Sequence, residues 1–342
     1  GGFGGRTGAY VFVKRPICGN ILCERASICF AKDVFGEGMK ILKSLVHETI
    51  EENTAVTVGK FDGIHKGHEL LTQKLREQKK EGLASCVLTF DVSPRIRLEK
   101  DMTKLLITNA EREHIFEAEE MDYLAQCPFA DEIMCLEPEE FIRLLVENYH
   151  MRYMVCGTDF SFGRMGRGNV IMLRELAKTY GFTLEVLEKL QQDHRDISST
   201  YVREEIAAGH IEKGNELLGY EYFVWGKVVH GFHLGSKMGM PTINLIPPED
   251  KLLPKNGVYV TRIEIDHHVY HGVTNVGVKP TVTGENRMGI ETHILDFNQD
   301  VYEKEVRVVF LKHLRDEIKF ENVDALFITN DNEIHYTKNF LR

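Results

Sequence analysis

Apolar and polar positions alternate differently in the two parts of this chain. Between Met39 and Gly219, short apolar segments alternate with longer amphipathic ones, as where TAVTVG precedes HELLTQKLREQKKEG and YMVCG precedes NVIMLRELAKTYG. We interpret DEIMCL, residues 131–136, as a further strand of this series. Such alternation predicts helical crossovers and a mostly parallel sheet with helices on both faces. Ligands of these sheets bind at the carboxyl ends of strands.

The second part of the chain consists of short strand-like segments separated by turn signals. These segments are FVWGKVV, GVYVTRIEI, VYHGVTNVGV, IETHILDF and EVRVVFL. In the last one, Val306, Val308 and Phe310 alternate with Glu305 and Arg307, the period of two that is typical of a half-buried strand. This pattern predicts an antiparallel β domain, closed into a small barrel.

The chain is therefore predicted to be α/β plus β, with domains over residues 39–219 and 220–342. Residues 1–38 show no sustained period and contain three of the seven cysteines: Cys18, Cys23 and Cys29. A zinc site would need closer paired ligands than this spacing offers. We expect an extension of unclear role that is not native, with Met39 as the natural start.

Charge and cysteine content exclude several classes of protein. A formal net charge of −10 argues against a general nucleic-acid or anionic-membrane surface. Seven scattered cysteines without a repeated CxxC favour reduced thiols, and no apolar run approaches the roughly 18 residues of a membrane span. We expect a soluble, cytoplasmic protein of unknown oligomeric state, with no nucleic-acid or membrane partner.

Two histidines follow the first predicted strand, in GKFDGIHKGH, residues 59–68. His65 and His68 are three positions apart, so both imidazoles can face one side of a first helical turn and donate hydrogen bonds to phosphate. Gly63 and Gly67 permit close approach of a ligand, and the helix start offers unpaired N–H groups. Judged alone, the segment could equally be a glycine turn with two exposed histidines.

A second helix start lies in ISSTYVR, residues 197–203. Ser198, Ser199 and Thr200 are cap-forming residues, and Arg203 lies about one turn inside the helix, where a guanidinium can pair with phosphate. The alternative is an ordinary serine–threonine cap with a solvated arginine.

These segments resemble the nucleotidylyltransferase superfamily, with its HxGH signature, and more closely the FAD synthetase module of bacterial bifunctional riboflavin kinase/FAD synthetases. TFDVSPR and GTDFSFGRMGRG match in order, although Val92 and Ser93 replace the usual proline and histidine. The resemblance implies a Rossmann-like domain in which His65 and His68 are catalytic. It also implies a set of residues that contact ATP and flavin: Gly59, Phe61, Gly63, Gly67, Asp159, Phe160, Ser198, Ser199, Thr200 and Arg203. Phe160 could instead be an ordinary core aromatic residue.

The second part contains GKVVHGFHLGSKMGMPTINL, residues 226–245, where Thr242 and Asn244 project from one face of a strand. The hydroxyl oxygen of Thr242 and the amide oxygen of Asn244 are suitable ligands for a Mg²⁺ ion whose other ligands are water and phosphate. The riboflavin kinase module is resembled by three segments: this one, GVTNVGVKPTV and residues 290–320. The resemblance implies that Glu291 is the general base and that Thr242 and Asn244 are metal ligands. The same resemblance places further residues against ATP: Gly235, Lys237, Gly239 and Pro241. Locally, the motif could be an edge strand, and Glu291 a solvated carboxylate.

Taken together, the resemblance implies phosphorylation of riboflavin to FMN and adenylylation of FMN to FAD, with ATP and Mg²⁺ at both sites. Two alternatives remain open at this point. One is a nucleotidylyltransferase with a single activity toward another small phosphate ester. The other is a flavin-binding sensor without enzymatic activity, although such a sensor has no need of two phosphate sites.

Overall fold

The computed structural model describes residues 38–91, 104–128, 131–229, 242–280, 286–318 and 323–340. Several sequence predictions therefore lie outside the described residues. They concern the extension with its three cysteines, the Val92 and Ser93 positions, and four predicted ATP contacts: Gly235, Lys237, Gly239 and Pro241.

Ten strands form the α/β part of the described chain. They are β1 (Lys40–Leu42), β2 (Thr54–Val58), β3 (Ala84–Asp91), β4 (Tyr123–Pro128), β5 (Met151–Gly157), β6 (Ser161–Phe162), β7 (Gly168–Asn169), β8 (Thr183–Leu187), β9 (Gln191–Gln192) and β10 (Arg195–Asp196). Six of them make one parallel sheet in the order β1-β4-β3-β2-β5-β8. Strand β2 lies inside this sheet, and all five of its residues are buried, as expected of an apolar run covered on both faces.

Helices cover both faces of the sheet. They are α1 (Lys66–Gln78), α2 (Asn109–Ala118), α3 (Asp131–Met134), α4 (Pro138–Asn148), α5 (Val170–Tyr180), α6 (Ser199–Ala208) and α7 (Ile211–Leu218), with short 3₁₀ turns at Lys79–Glu81 and Arg164–Gly166. Leu75 of α1 and Ile115 of α2 belong to the hydrophobic cluster on one face, whereas Leu145 of α4 and Leu173 of α5 belong to the cluster on the other. The predicted doubly covered parallel sheet is confirmed.

The prediction of a strand in DEIMCL is wrong. Residues Asp131–Met134 form the short helix α3, and the strand of this region is β4, which ends before it. Ile133 and Leu136, three positions apart, are buried, whereas Met134 is 43% exposed. Spacing of three is a helical period, and the Leu136 amide donates to the Ile133 carbonyl oxygen in the turn that follows α3. The apolar residues therefore do not alternate as in a strand.

The second part forms a closed six-stranded antiparallel barrel, which confirms the predicted β domain. Its strands are β11 (Phe223–Val229), β12 (Thr242–Leu245), β13 (Gly257–Ile265), β14 (His268–Pro280), β15 (Asn286–Ile294) and β16 (Glu305–Asp316), in the order β11-β12-β15-β14-β13-β16. Helix α8 (Val323–Phe340) packs against β14.

The prediction that β16 is buried on one face only is incomplete. Val306, Val308 and Phe310 are buried as expected, but Arg307 is also only 3% exposed. Its guanidinium lies 4.4 Å from the centre of the Phe223 ring and 3.5 Å from the carboxylate of Glu264. An arginine with both an aromatic face and a carboxylate can be buried, which the alternation of residue types alone does not indicate.

The two parts share a packed junction. One hydrophobic cluster continues from Phe116 in α2 to Phe223 and Phe310 in the barrel. A parallel backbone bridge joins Leu105 to Lys251. The junction therefore connects the loop before α2 directly to the segment after β12. In the part of the chain described here, no helix is long and apolar enough to cross a membrane.

Candidate active sites

The loop between β2 and α1 has an unusual backbone. Phe61, Gly63 and Ile64 have φ angles of 45°, 90° and 41°, in the left-handed region. A Cβ at Gly63 would lie 2.7 Å from a methyl carbon of Leu106, so both space and backbone conformation require glycine there. The loop makes a sharp turn at the carboxyl end of β2 and delivers the chain to the start of α1.

His65 and His68 form a stacked pair at this helix start. Their ring centres are 3.8 Å apart with an angle of 18° between the planes, and the Phe61 ring lies 4.8 Å from that of His68. A Cβ at Gly67 would approach the His65 ring to 3.2 Å, closer than an ordinary contact. His65 is the N-cap residue, but its side chain caps no backbone amide. The first-turn amides of α1 can therefore serve an anion together with the imidazoles.

A cavity of about 800 Å³ lies at the carboxyl ends of β2, β3, β5 and β8. Both catalytic candidates, His65 and His68, line it. Eight of the predicted contact residues line it as well: Gly59, Phe61, Gly67, Asp159, Phe160, Ser198, Ser199 and Thr200. This volume falls within the range of about 300–1,000 Å³ usual for cofactor sites. The position is the one expected for ligands of a parallel sheet.

The second helix start is attached to the first loop. Ser198 is the N-cap of α6 and accepts a hydrogen bond from the Tyr201 amide at 3.2 Å. The Ser199 hydroxyl donates to the Asp62 carbonyl oxygen at 2.6 Å. Two helix N-termini are thereby held at one cavity, an arrangement that favours a polyanionic ligand.

Arg203 takes a different position from these residues. Its Nη2 donates to Asp62 Oδ2 at 2.8 Å, and its Nε donates to the Lys104 carbonyl oxygen at 3.1 Å. Of the described residues, Arg203 and Gly63 do not line the cavity. A contact between Arg203 and phosphate stays a prediction, and the observed role of Arg203 is to hold Asp62.

Sequence reasoning did not single out two lysines that line the cavity, Lys60 and Lys189. Lys189 Nζ lies 2.8 Å from Asp159 Oδ2 and 3.5 Å from Asp196. The hydrogen bond to Asp159 raises the pKa of Lys189 above its ordinary value. Each lysine lies two positions after the end of a parallel strand, and this position was the available signal.

The second candidate site lies on the outer face of the barrel. Ile243 and Leu245 of β12 face the core, so Thr242 and Asn244 project outward. Asn244 pairs in register with Glu291 of β15, and the Thr242 hydroxyl donates to Glu291 Oε1 at 3.0 Å. Three oxygen-bearing side chains thus converge through the ladder of two neighbouring strands.

Asn275 is a neighbour that sequence reasoning missed. It lies on β14 directly opposite Glu291, so β14, β15 and β12 present Asn275, Glu291 and Asn244 in one row. The signal was available in GVTNVGV, but only the register shows that this asparagine faces the same carboxylate.

These oxygen donors on the barrel match the ligand preference of Mg²⁺. Within the described residues, no group of three His, Cys, Asp or Glu side chains could hold a metal ion. A hydroxyl, an amide oxygen and a carboxylate are nevertheless present at Thr242, Asn244 and Glu291. These are hard oxygen donors of the kind that Mg²⁺ accepts alongside water and phosphate, so the residues fit the ion.

The fold and the two sites define a class of protein: a two-domain chain with a cleft at two helix N-termini in its α/β unit and a cluster of oxygen-bearing side chains on its barrel. A family model for FAD synthetase matches residues 47–201, and a model for riboflavin kinase matches residues 218–341. The bifunctional riboflavin kinase/FMN adenylyltransferase of Pseudomonas fluorescens is 33% identical over 84% of this chain and 93% of its own length. The Bacillus subtilis enzyme of the same name is 34% identical over 82% and 91%, respectively. The chain belongs to the bifunctional riboflavin kinase/FMN adenylyltransferase family.

A solved structure agrees with this assignment in fold. A crystal structure described as a macrolide-efflux protein from Streptococcus pneumoniae is 30% identical, with a TM-score of 0.79. The match covers 88% of this chain and 99% of that one. The two-domain architecture is therefore shared along nearly the whole of that protein.

Proposed function

We propose that this chain phosphorylates riboflavin to FMN on its barrel and adenylylates FMN to FAD in its α/β cleft, with ATP as the donor in both reactions. The observation that carries the proposal is the cleft of about 800 Å³, where the stacked His65 and His68 meet the helix start at Ser198. A flavin-binding sensor without enzymatic activity would need neither this cleft nor a second phosphate site on the barrel. Family membership argues for two activities in place of one.

In the cleft, a phosphate oxygen of FMN attacks the α-phosphorus of ATP as the bond to pyrophosphate breaks. This transfer needs positioning and neutralisation of charge more than covalent chemistry from the protein. His65 and His68 donate hydrogen bonds to the reacting phosphates, and the first-turn amides of α1 and α6 add their partial positive charge. Lys60 and Lys189 line the same cavity and neutralise the triphosphate.

On the barrel, the 5′-hydroxyl oxygen of riboflavin attacks the γ-phosphorus of ATP. Glu291 accepts the hydroxyl proton, and the bond to ADP breaks. The Thr242 hydroxyl, 3.0 Å from Glu291 Oε1, fixes the orientation of the carboxylate. Thr242 and Asn244 would hold Mg²⁺, which neutralises phosphate charge when bound.

The proposed compartment is the cytoplasm. The described cysteines are all free thiols, and three of them are buried: Cys86, Cys127 and Cys156. Burial raises the pKa of the Cys127 thiol to about 11, which keeps it unreactive. Free thiols of this kind suit a reducing compartment. We propose small-molecule partners only, namely ATP, riboflavin and FMN.

A chromatographic time course with riboflavin, ATP and Mg²⁺ tests the proposal. FMN should appear first and then give way to FAD, with one pyrophosphate released per FAD. FMN that accumulates without FAD would assign the cleft to another acceptor. Adenylylation of supplied FMN without any conversion of riboflavin would leave a single-activity nucleotidylyltransferase.

A further inference from the structure

Lys251 is a buried lysine in the barrel domain, in the segment that follows β12. It is 1% exposed, and its Nζ donates to Glu111 Oε2 at 2.7 Å and to the Leu106 carbonyl oxygen at 2.6 Å. Burial lowers the pKa of Lys251, and the carboxylate of Glu111 acts against that shift. A lysine is rarely buried unless it is paired, so the two acceptors account for its position.

Both acceptors of Lys251 belong to the α/β domain. Glu111 lies in the first turn of α2, where it completes a capping box with Thr108, and its Oε1 accepts the Trp225 amide of β11 at 3.0 Å. The Glu111 side chain is 1% exposed. Its carboxylate accepts hydrogen bonds from donors of both domains. Loss of the Lys251 ammonium group would leave the negative charge of Glu111 buried without its cationic partner.

The segment that precedes α2 is hydrogen-bonded to the barrel on the same side. The Leu105 amide donates to the Asp250 carbonyl oxygen at 2.7 Å, and the Leu252 amide donates to the Leu105 carbonyl oxygen at 2.7 Å. The position of residues 104–108 is thus set by the kinase domain, both through the backbone and through Lys251.

The opposite side of this segment holds the loop of the adenylyl-transfer cleft. The amides of Leu106 and Ile107 donate to Asp62 Oδ1 at 2.8 and 3.3 Å. Leu106 therefore receives Lys251 on its carbonyl oxygen and reaches Asp62 through its amide. Asp62 in turn accepts Arg203 and Ser199 and precedes His65 by three positions. A continuous series of hydrogen bonds joins Lys251 to the histidine loop.

We propose that Lys251 of the kinase domain is a positioning residue for adenylyl transfer in the other domain, an inference that rests on the proposed function of the cleft. Removal of its ammonium group frees the Leu106 carbonyl oxygen and leaves Glu111 uncompensated, so residues 104–108 can move. Asp62 then moves with them, and the histidine pair leaves its productive position. Misplacement by about 1 Å can cost about 100-fold in rate.

Lys251→Met in the full-length chain tests this inference, because methionine keeps the side-chain length without the ammonium group. Lys255→Met is the matched control, since Lys255 lies four positions later, is 43% exposed and pairs with Asp316 at the surface. FAD formation from supplied FMN and FMN formation from riboflavin are assayed separately, below the melting temperature of each variant. For Lys251→Met, we expect kcat for FAD formation to fall about 10- to 100-fold, with KM for ATP changing less than about threefold.

The control should retain both activities, and FMN formation by Lys251→Met should change less than about twofold. The double variant Glu111→Gln/Lys251→Met distinguishes positioning from stability, since it removes the uncompensated charge but does not restore the bond to Leu106. A double variant with restored Tm and low kcat for FAD formation supports the inference. Unchanged FAD formation in Lys251→Met, equal loss of both activities, or full recovery of kcat in the double variant would overturn it. Absence of FAD formation in the wild-type chain would instead refute the proposed function.

Discussion

The two candidate sites are built in different ways. In the cleft, His65 and His68 occupy a loop and a helix start. This loop is held through Asp62, whose side chain contacts Arg203 and residues 106–107 at distant positions in the sequence. On the barrel, Thr242, Asn244 and Glu291 lie within strands, and the register of β12 with β15 brings them together. A ladder fixes its side chains through backbone pairing, whereas a loop requires support from several elements. The cleft should therefore respond to more substitutions, and from farther away, than the barrel site.

The barrel site should be disabled by one conservative change at Glu291. Glu291→Gln keeps an acceptor for the Thr242 hydroxyl but cannot take up the proton of riboflavin. We expect kcat for FMN formation to fall by about 10²–10⁴, the range typical of general-base removal. FAD formation from supplied FMN should remain within twofold of wild type, roughly the scatter of such assays. An equal loss at the cleft would contradict the separation of the two sites.

The cleft should show the converse behaviour for His68→Ala. Removal of one donor from a site that stabilises phosphate charge costs about 10²–10³ in rate. FMN formation from riboflavin should be retained, so that FMN accumulates in the time course. Measurement of both products from riboflavin and ATP checks the result. Loss of FMN formation in this variant would show that the two domains do not act separately.

Gly67→Ala tests the cleft by adding one methyl group beside the His65 ring. The added methyl group would lie 3.2 Å from the His65 ring, so the ring must shift by a few tenths of an ångström relative to His68. We expect FAD formation to fall about tenfold, which corresponds to a loss of about 1.4 kcal/mol of transition-state stabilisation. Gly82→Ala is a poor control because Gly82 has a positive φ, so Gly226→Ala in β11 serves instead, where the nearest atom is 3.4 Å away. Equal losses in these two variants would refute a specific effect on the histidines.

The sequence predicted this architecture wherever the signals were local. The helical spacing of His65 and His68 placed both rings at one helix start, and the alternation in β12 placed Thr242 and Asn244 on one face. The contacts of Lys251 could not be predicted, because Glu111 lies 140 positions away in sequence. No periodicity indicates which distant residue will pair with a buried charge.

The two departures in the fold have different causes. DEIMCL has the composition of a short strand, but its buried residues Ile133 and Leu136 are three positions apart, which is a helical spacing. Arg307 follows the alternation of an exposed strand face, but Phe223 and Glu264 from neighbouring strands cover it. At Arg307, tertiary packing overrides what the local pattern indicates.

The smallest effect is expected at Glu333, which joins α8 to the barrel through Arg315. Burial raises the pKa of Glu333 above its ordinary value, since it favours the neutral carboxyl group in the folded chain. The unfolded chain therefore releases this proton first as the pH rises. The stability contributed by neutral Glu333 is present below about pH 4.5 and is lost as the pH rises through the folded-state pKa.

Glu333→Gln mimics the neutral group and keeps an oxygen that can accept the hydrogen bond from Arg315. We expect the variant and the wild type to have similar Tm values near pH 4.5, and the variant to gain roughly 2 °C over the wild type by pH 7. Thermal unfolding at several pH values measures this difference, and FAD formation from supplied FMN should be the same in both proteins. A Tm difference that does not depend on pH would contradict the assigned titration. A change in FAD formation would show that the cleft depends on the contact between α8 and β16 as well as on the junction at Lys251.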